Sequence, residues 1–217
     1  MMKSDLQIKQ DVEAELDWEP GVAASTISVE VENGVVTLKG HPASLAEKIA
    51  AEQAAQRVGG VRALTIELLV RLPEEEIRGD GEIANFAHSM LRWTTGLSEG
   101  AVRVLVEHGH VVLKGTVDYA WQSRAAARAI AQMRGVTGVS NQIEVRHLAE
   151  PEKISKDILD AMHRHADREA RHIRVSVREG TVTLSGTVHS YAERAVARGA
   201  AWAAPGVGAV VDELTVE

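Results

Sequence analysis

Ile27-Ser-Val-Glu-Val-Glu-Asn-Gly-Val-Val-Thr-Leu-Lys-Gly40 decides how the chain is read, because the same pattern returns twice. It recurs as Val102-Arg-Val-Leu-Val-Glu-His-Gly-His-Val-Val-Leu-Lys-Gly115 and as Ile173-Arg-Val-Ser-Val-Arg-Glu-Gly-Thr-Val-Thr-Leu-Ser-Gly186. Within it, Ile27, Val29 and Val31 alternate with Ser28, Glu30 and Glu32, the period of a strand with one buried face. Asn33-Gly34 then interrupts, as do His108-Gly109 and Glu179-Gly180, and glycine supplies the positive φ of a tight hairpin turn. The segment predicts two antiparallel strands joined by two residues.

Working outward, the same offsets persist. Gly34, Gly109 and Gly180 define them, and Gly40, Gly115 and Gly186 keep them, as do Gly60, Gly135 and Gly206. Upstream lie apolar residues four apart: Ile8, Val12, Leu16; Ile83, Ala87, Leu91; Ile154, Ile158, Met162. That spacing predicts a short helix with one buried stripe. Asp5 and Asp80 stand where an N-cap is expected, and Pro151 suits a first helical turn. Downstream, alanine-rich stretches over about 44–58, 120–133 and 191–204 predict a second helix. Gly60, Gly135 and Gly206 follow it, where a left-handed C-cap belongs. A last alternating run (64–70, 139–145, 210–216) predicts a third strand.

The chain therefore reads as α+β: three tandem α-β-β-α-β two-layer sandwiches over 1–73, 74–149 and 150–217. Each has a three-stranded sheet with two helices on one face. If the helical crossover returns the third strand beside the second, that pair is parallel and the sheet is mixed.

The pattern V-x-V-x-x-G-x-V-x-L-x-G, an alanine-rich helix, then Gly135-Val-Thr-Gly-Val-Ser-Asn-Gln-Ile-Glu-Val145, resembles the BON domain, and all three copies fit it. Copy three has Asp212 where copy two has Asn141, and copy one has Ile66. The resemblance implies the fold above. It also implies association with phospholipid surfaces, envelope stress and osmotic response, without an activity.

Composition narrows the classes. The chain has 217 residues, no cysteine and a formal charge of −7. Disulfides and cysteine chemistry are excluded. No run reaches the length of a membrane-spanning helix, and the acidic balance argues against nucleic acid as a ligand. Residues 1–17 carry Lys3, Lys9 and five acids, without the apolar core of a secretory signal, so a cytoplasmic location is expected.

The residues offer no constellation for catalysis. There is no G-x-S-x-G elbow, phosphate loop or HExxH motif. His163, His165 and His172 are not spaced for one helical face, and His108 and His110 merely flank a turn, so no metal and no cofactor are predicted. Carboxylates are expected on solvated surface. Asn141 and Asp212, at inward phase in the last strand, are expected to bond local backbone. The shared glycines serve turns and caps, and an enzyme is not expected.

Surface candidates remain. Trp18 and Trp93 end equivalent first helices, with Arg164 at that place in copy three, while Trp121 and Trp202 lie on second helices. They either cover small cores and joints between copies, or anchor in lipid or a partner. Leu105 and Val112 are apolar at outward sheet positions, as is Leu69, and suggest a contact patch. The leading expectation is a non-catalytic interaction scaffold with a protein partner, linked to bacterial osmotic or envelope stress. A peripheral phospholipid binder is the alternative, with a local basic face around Arg164, Arg168, Arg171 and Arg174, and an ion-binding sensor is a third.

Overall fold

The computed structural model describes residues 3–146, 151–165 and 172–216, without the side chains of 163–165. The side chains of His163, Arg164, His165, Arg168 and Arg171 therefore lie outside the described residues.

The first repeat runs α1 (Asp5–Trp18), β1 (Ile27–Glu32), β2 (Val35–Gly40), α2 (Leu45–Arg57) and β3 (Ala63–Leu68). The second runs α3 (Asp80–Trp93), β4 (Val102–Glu107), β5 (His110–Val117), α4 (Ala120–Ala131) and β6 (Gly138–Val145). The third runs α5 (Pro151–His165), β7 (Ile173–Arg178), β8 (Thr181–Val188), α6 (Tyr191–Ala203) and β9 (Ala209–Val216). Three separate sheets result, ordered β1-β2-β3, β4-β5-β6 and β7-β8-β9. The architecture is α+β, as the sequence predicts.

In the first sheet β1 pairs antiparallel with β2, Val29 facing Leu38, and β2 pairs parallel with β3, Leu38 facing Ile66. The third sheet repeats this, Val175 facing Leu184 and Leu184 facing Asp212. The helical crossover thus returns the third strand beside the second. The first core gathers Ile8, Val12 and Leu16 of α1, Ala51, Ala54 and Ala55 of α2, and Val29, Val36, Leu38 and Leu68 of the sheet. The third uses equivalent positions, among them Ile154, Ile158, Met162, Ala197 and Leu184. Burying each such aliphatic side chain contributes about 1.5–3 kcal/mol, and the small alanines let the second helix lie close to the sheet. By Cα proximity the chain divides into two compact units, residues 1–89, 105–112 and 129–140 in one and 90–104, 113–128 and 141–217 in the other.

The hairpins adopt the expected turn, with positive φ at both central residues: 52° and 77° at Asn33-Gly34, 51° and 77° at His108-Gly109, 45° and 72° at Glu179-Gly180. The glycines at or near the end of the second strand have a different role from turn or cap. A Cβ on Gly40, Gly115 or Gly186 would collide with the carbonyl oxygen of Thr26, Ala101 or His172. Two further expectations need correcting. Gly60, Gly135 and Gly206 have positive φ but are not the helix caps. Val58 and Ala204 cap α2 and α6 in extended conformation. In the first two repeats the glycine sits third in the four-residue turn that follows, where Val61 N bonds Val58 O and Val136 N bonds Met133 O. Asp5 is not an N-cap either: Ser4 caps α1, paired with Gln7 in a capping box.

Candidate interaction surface

Freed from capping, Asp5 reaches across to the hairpin. Its carboxylate accepts from the amides of Asn33 and Gly34, at 2.8 and 2.9 Å. Asp80, which opens α3, accepts from His108 and Gly109, both at 2.9 Å. Each carboxylate thus latches its first helix to the turn. The Gly109 and then the His108 amide hydrogen bonds hold the Asp80 carboxyl below its ordinary range. Pro151 stands at this position in the third repeat and has no carboxylate to offer.

A second set of ties starts each crossover helix. Glu47 is 92% buried and accepts from the amides of Ala23 and Ala43, while Ser44 caps α2. Ser190 and Glu193 repeat the arrangement in α6, Glu193 accepting from His189 N. In the second repeat Gln122 takes the place: its oxygen accepts from Asp118 and Tyr119 amides and its NH2 donates to the Gly96 carbonyl. The S-x-x-E spacing at 44–47 and 190–193 is the sequence signal for these residues.

Asn141 and Asp212 bond neighbouring structure. Asn141 donates to Ser123 Oγ at 2.8 Å and accepts from Ile143 N. Asp212 accepts from Arg194 Nε at 2.8 Å and from Leu214 N, and Arg198 stands 3.6 Å away. Burial pushes the Asp212 carboxyl up, but the Arg194 and Leu214 hydrogen bonds and the two guanidinium charges outweigh it, so it lies below its ordinary range. Glu47 departs from the expectation that carboxylates occupy solvated surface. Among the described residues no three His, Asp or Glu side chains are grouped to hold a metal.

The remaining sequence candidates scatter. Trp18 and Trp93 are 82% and 86% exposed, so they do not cover the cores. Trp121 lies over Gly96 with Tyr119 beside it, ring centroids 6.3 Å apart. Trp202 is half-buried under the Arg124 guanidinium, 4.4 Å from its ring centre, a cation–π contact joining a residue of the second repeat to one of the third. Of the expected outward sheet residues Leu105 is exposed and Val112 half-buried, while Leu69 is exposed just beyond the end of β3. The sequence reading noticed Trp93 but missed its companions. Phe86 and Met90 also stand exposed on α3, beside the buried Ile83, Ala87 and Leu91.

Three α-β-β-α-β units whose shared residues form turns, close backbone contacts and cores define a tandem array of small α+β modules. Residues 4–71, 79–147 and 152–217 each match the BON domain, and the chain belongs to that family. BON domains are generally non-catalytic modules, often linked to stress or membrane association. No curated protein matches the chain. Among solved structures it is similar to CdsD, a structural protein of the type III secretion system of Chlamydia trachomatis. The identity is 14%, over 96% of this chain and 91% of that one, with a TM-score of 0.27. The CdsD C-terminal domain gives 14% identity over 99% and 100% of the two chains, again with a TM-score of 0.27. Neither likeness is close enough to bear on arrangement or function. No helix among the described residues is long and apolar enough to cross a membrane.

Proposed function

We propose that the chain is a non-catalytic interaction scaffold whose three modules share a frame and differ in the surface they offer to a protein partner. One observation supports this most directly: residues kept across the repeats are cores and turns, whereas exposed helix positions change chemistry from copy to copy. The equivalent residues Asp11 and Phe86, or Glu15 and Met90, illustrate it. A role in bacterial osmotic or envelope stress follows from the family rather than from any residue. Exposed Trp18 and Trp93 favour a second reading, peripheral binding to phospholipid, since indole rings suit the headgroup region. The charge of −7 weighs against it for anionic membranes.

Co-sedimentation with neutral and anionic vesicles separates the two. The scaffold reading expects the chain to stay in the supernatant with unchanged tryptophan emission. Saturable sedimentation that weakens with salt, with blue-shifted emission, would transfer the function to lipid.

A further inference from the structure

Two of the three hairpin turns have their amides answered by the chain itself. Asp5 gives one carboxylate oxygen to the amide of Asn33 and the other to that of Gly34, and Asp80 does the same for His108 and Gly109. The third hairpin has the same turn, with φ of 45° and 72° at Glu179 and Gly180 against 52° and 77° in the first. Its two amides therefore converge as the others do, a pair of adjacent N–H groups suited to one anion. Pro151 holds the place of Asp5 and Asp80 and brings no oxygen to them. Among the described residues no acceptor meets either amide, Glu152 of the same helical turn included. Gly180 is buried, and a buried amide without an acceptor is costly, which favours an oxygen from outside the module.

An open cleft of about 590 Å³ lies between α5 and β7, with Pro151 among its lining residues. Its apolar wall is Leu159, Val175 and Val177, all half-buried, and Val177 is two residues before the turn. Leu159 is particular to this copy, since Glu13 and His88 take its place in the other two. Charges lining the cleft or flanking the turn are mixed, Glu152, Asp160 and Glu179 with Lys156 and Arg178, so charge selects no ligand. Recognition falls to the amide pair and the apolar wall, and Asp5 and Asp80 show that a side-chain carboxylate fits such a pair. We infer that the third module binds a carboxylate from outside, the side chain of an aspartate or glutamate on a partner protein, with a neighbouring apolar side chain against Leu159, Val175 and Val177. The inference rests on the scaffold reading and names what one module recognises.

The test follows the Glu179 and Gly180 amides by NMR in the isotope-labelled full chain during titration with acetyl-Leu-Asp-Leu-amide. Comparisons are acetyl-Leu-Asn-Leu-amide, acetyl-Leu-Ala-Leu as the free acid, inorganic phosphate, and the variant Pro151→Asp, which supplies a carboxylate from α5. Expected are saturable shifts of both amides with the aspartyl peptide, and affinity lower by about tenfold or more for the asparaginyl one. Asn33, Gly34, His108 and Gly109, already bonded to carboxylates, should not respond, and Pro151→Asp should silence Glu179 and Gly180. The peptide comparison stands on the wild type alone should that variant fail to fold. Silent amides in the wild type, or equal affinity for the two amidated peptides, would overturn the inference. So would a response that persists in Pro151→Asp after α5 has gained exchange protection, or tighter binding of the free acid or of phosphate. Each such result leaves the scaffold reading standing, because vesicle sedimentation decides that reading by itself.

Discussion

Asp80 and Gln122 show how single side chains fasten these small modules. Because Asp80 has a lowered pKa in the fold, its contribution is fully present above the ordinary carboxylate value, about pH 4. It is lost as the pH falls through the lower folded-state value. Asp80→Ala should lower the thermal midpoint at pH 7 and flatten the loss of stability below pH 4, read from melts across that range; an unchanged acid limb would show the latch is idle in solution. Gln122 both accepts and donates, so a carboxylate there would face the Gly96 carbonyl with no proton to give. Gln122→Glu should cost about 1–3 kcal/mol in denaturant unfolding, and a neutral result would show the side chain rotates out.

At the scale of elements, the three first helices are not equally held. α1 and α3 are latched to their hairpins, whereas α5 opens on Pro151. Pro151→Asp should let a carboxylate meet the Glu179 and Gly180 amides, raising hydrogen-exchange protection in α5; unaltered exchange would mean the turn is out of reach. Gly180→Val should destabilise the third module by about 1 kcal/mol or more, since φ there is 72°. An unaltered unfolding midpoint would show that the turn relaxes freely. Strands, hairpins and buried stripes were legible because each is written in local periodicity. The Asp5 latch was not, because its partners are backbone amides 28 and 29 residues away, and an acid beside a helix start reads first as a cap. The exposed apolar residues of α3 were legible in their spacing, yet only Trp93 drew notice, since Phe86 and Met90 pass for core when burial is unknown.

At the scale of the whole molecule, Trp202 could not have been placed from sequence, because its partner Arg124 lies in another repeat. A double-mutant cycle of Arg124→Ala and Trp202→Ala should return a coupling of about 0.5–1 kcal/mol; zero coupling would show the contact is not maintained in solution. The last strands hold a wider consequence. Three tandem copies with one strand order invite crossed assembly during folding, a final strand of one copy completing the sheet of another. Yet Ile66, Asn141 and Asp212 occupy one equivalent place, and Lys48, Ser123 and Arg194 the facing helix position. Asp212 lodged beside Ser123 would forfeit its guanidinium, and Asn141 beside Arg194 would bring no charge to answer it. The second and third copies thus carry different polar pairs at one place, so a strand crossed between them would lose its partner.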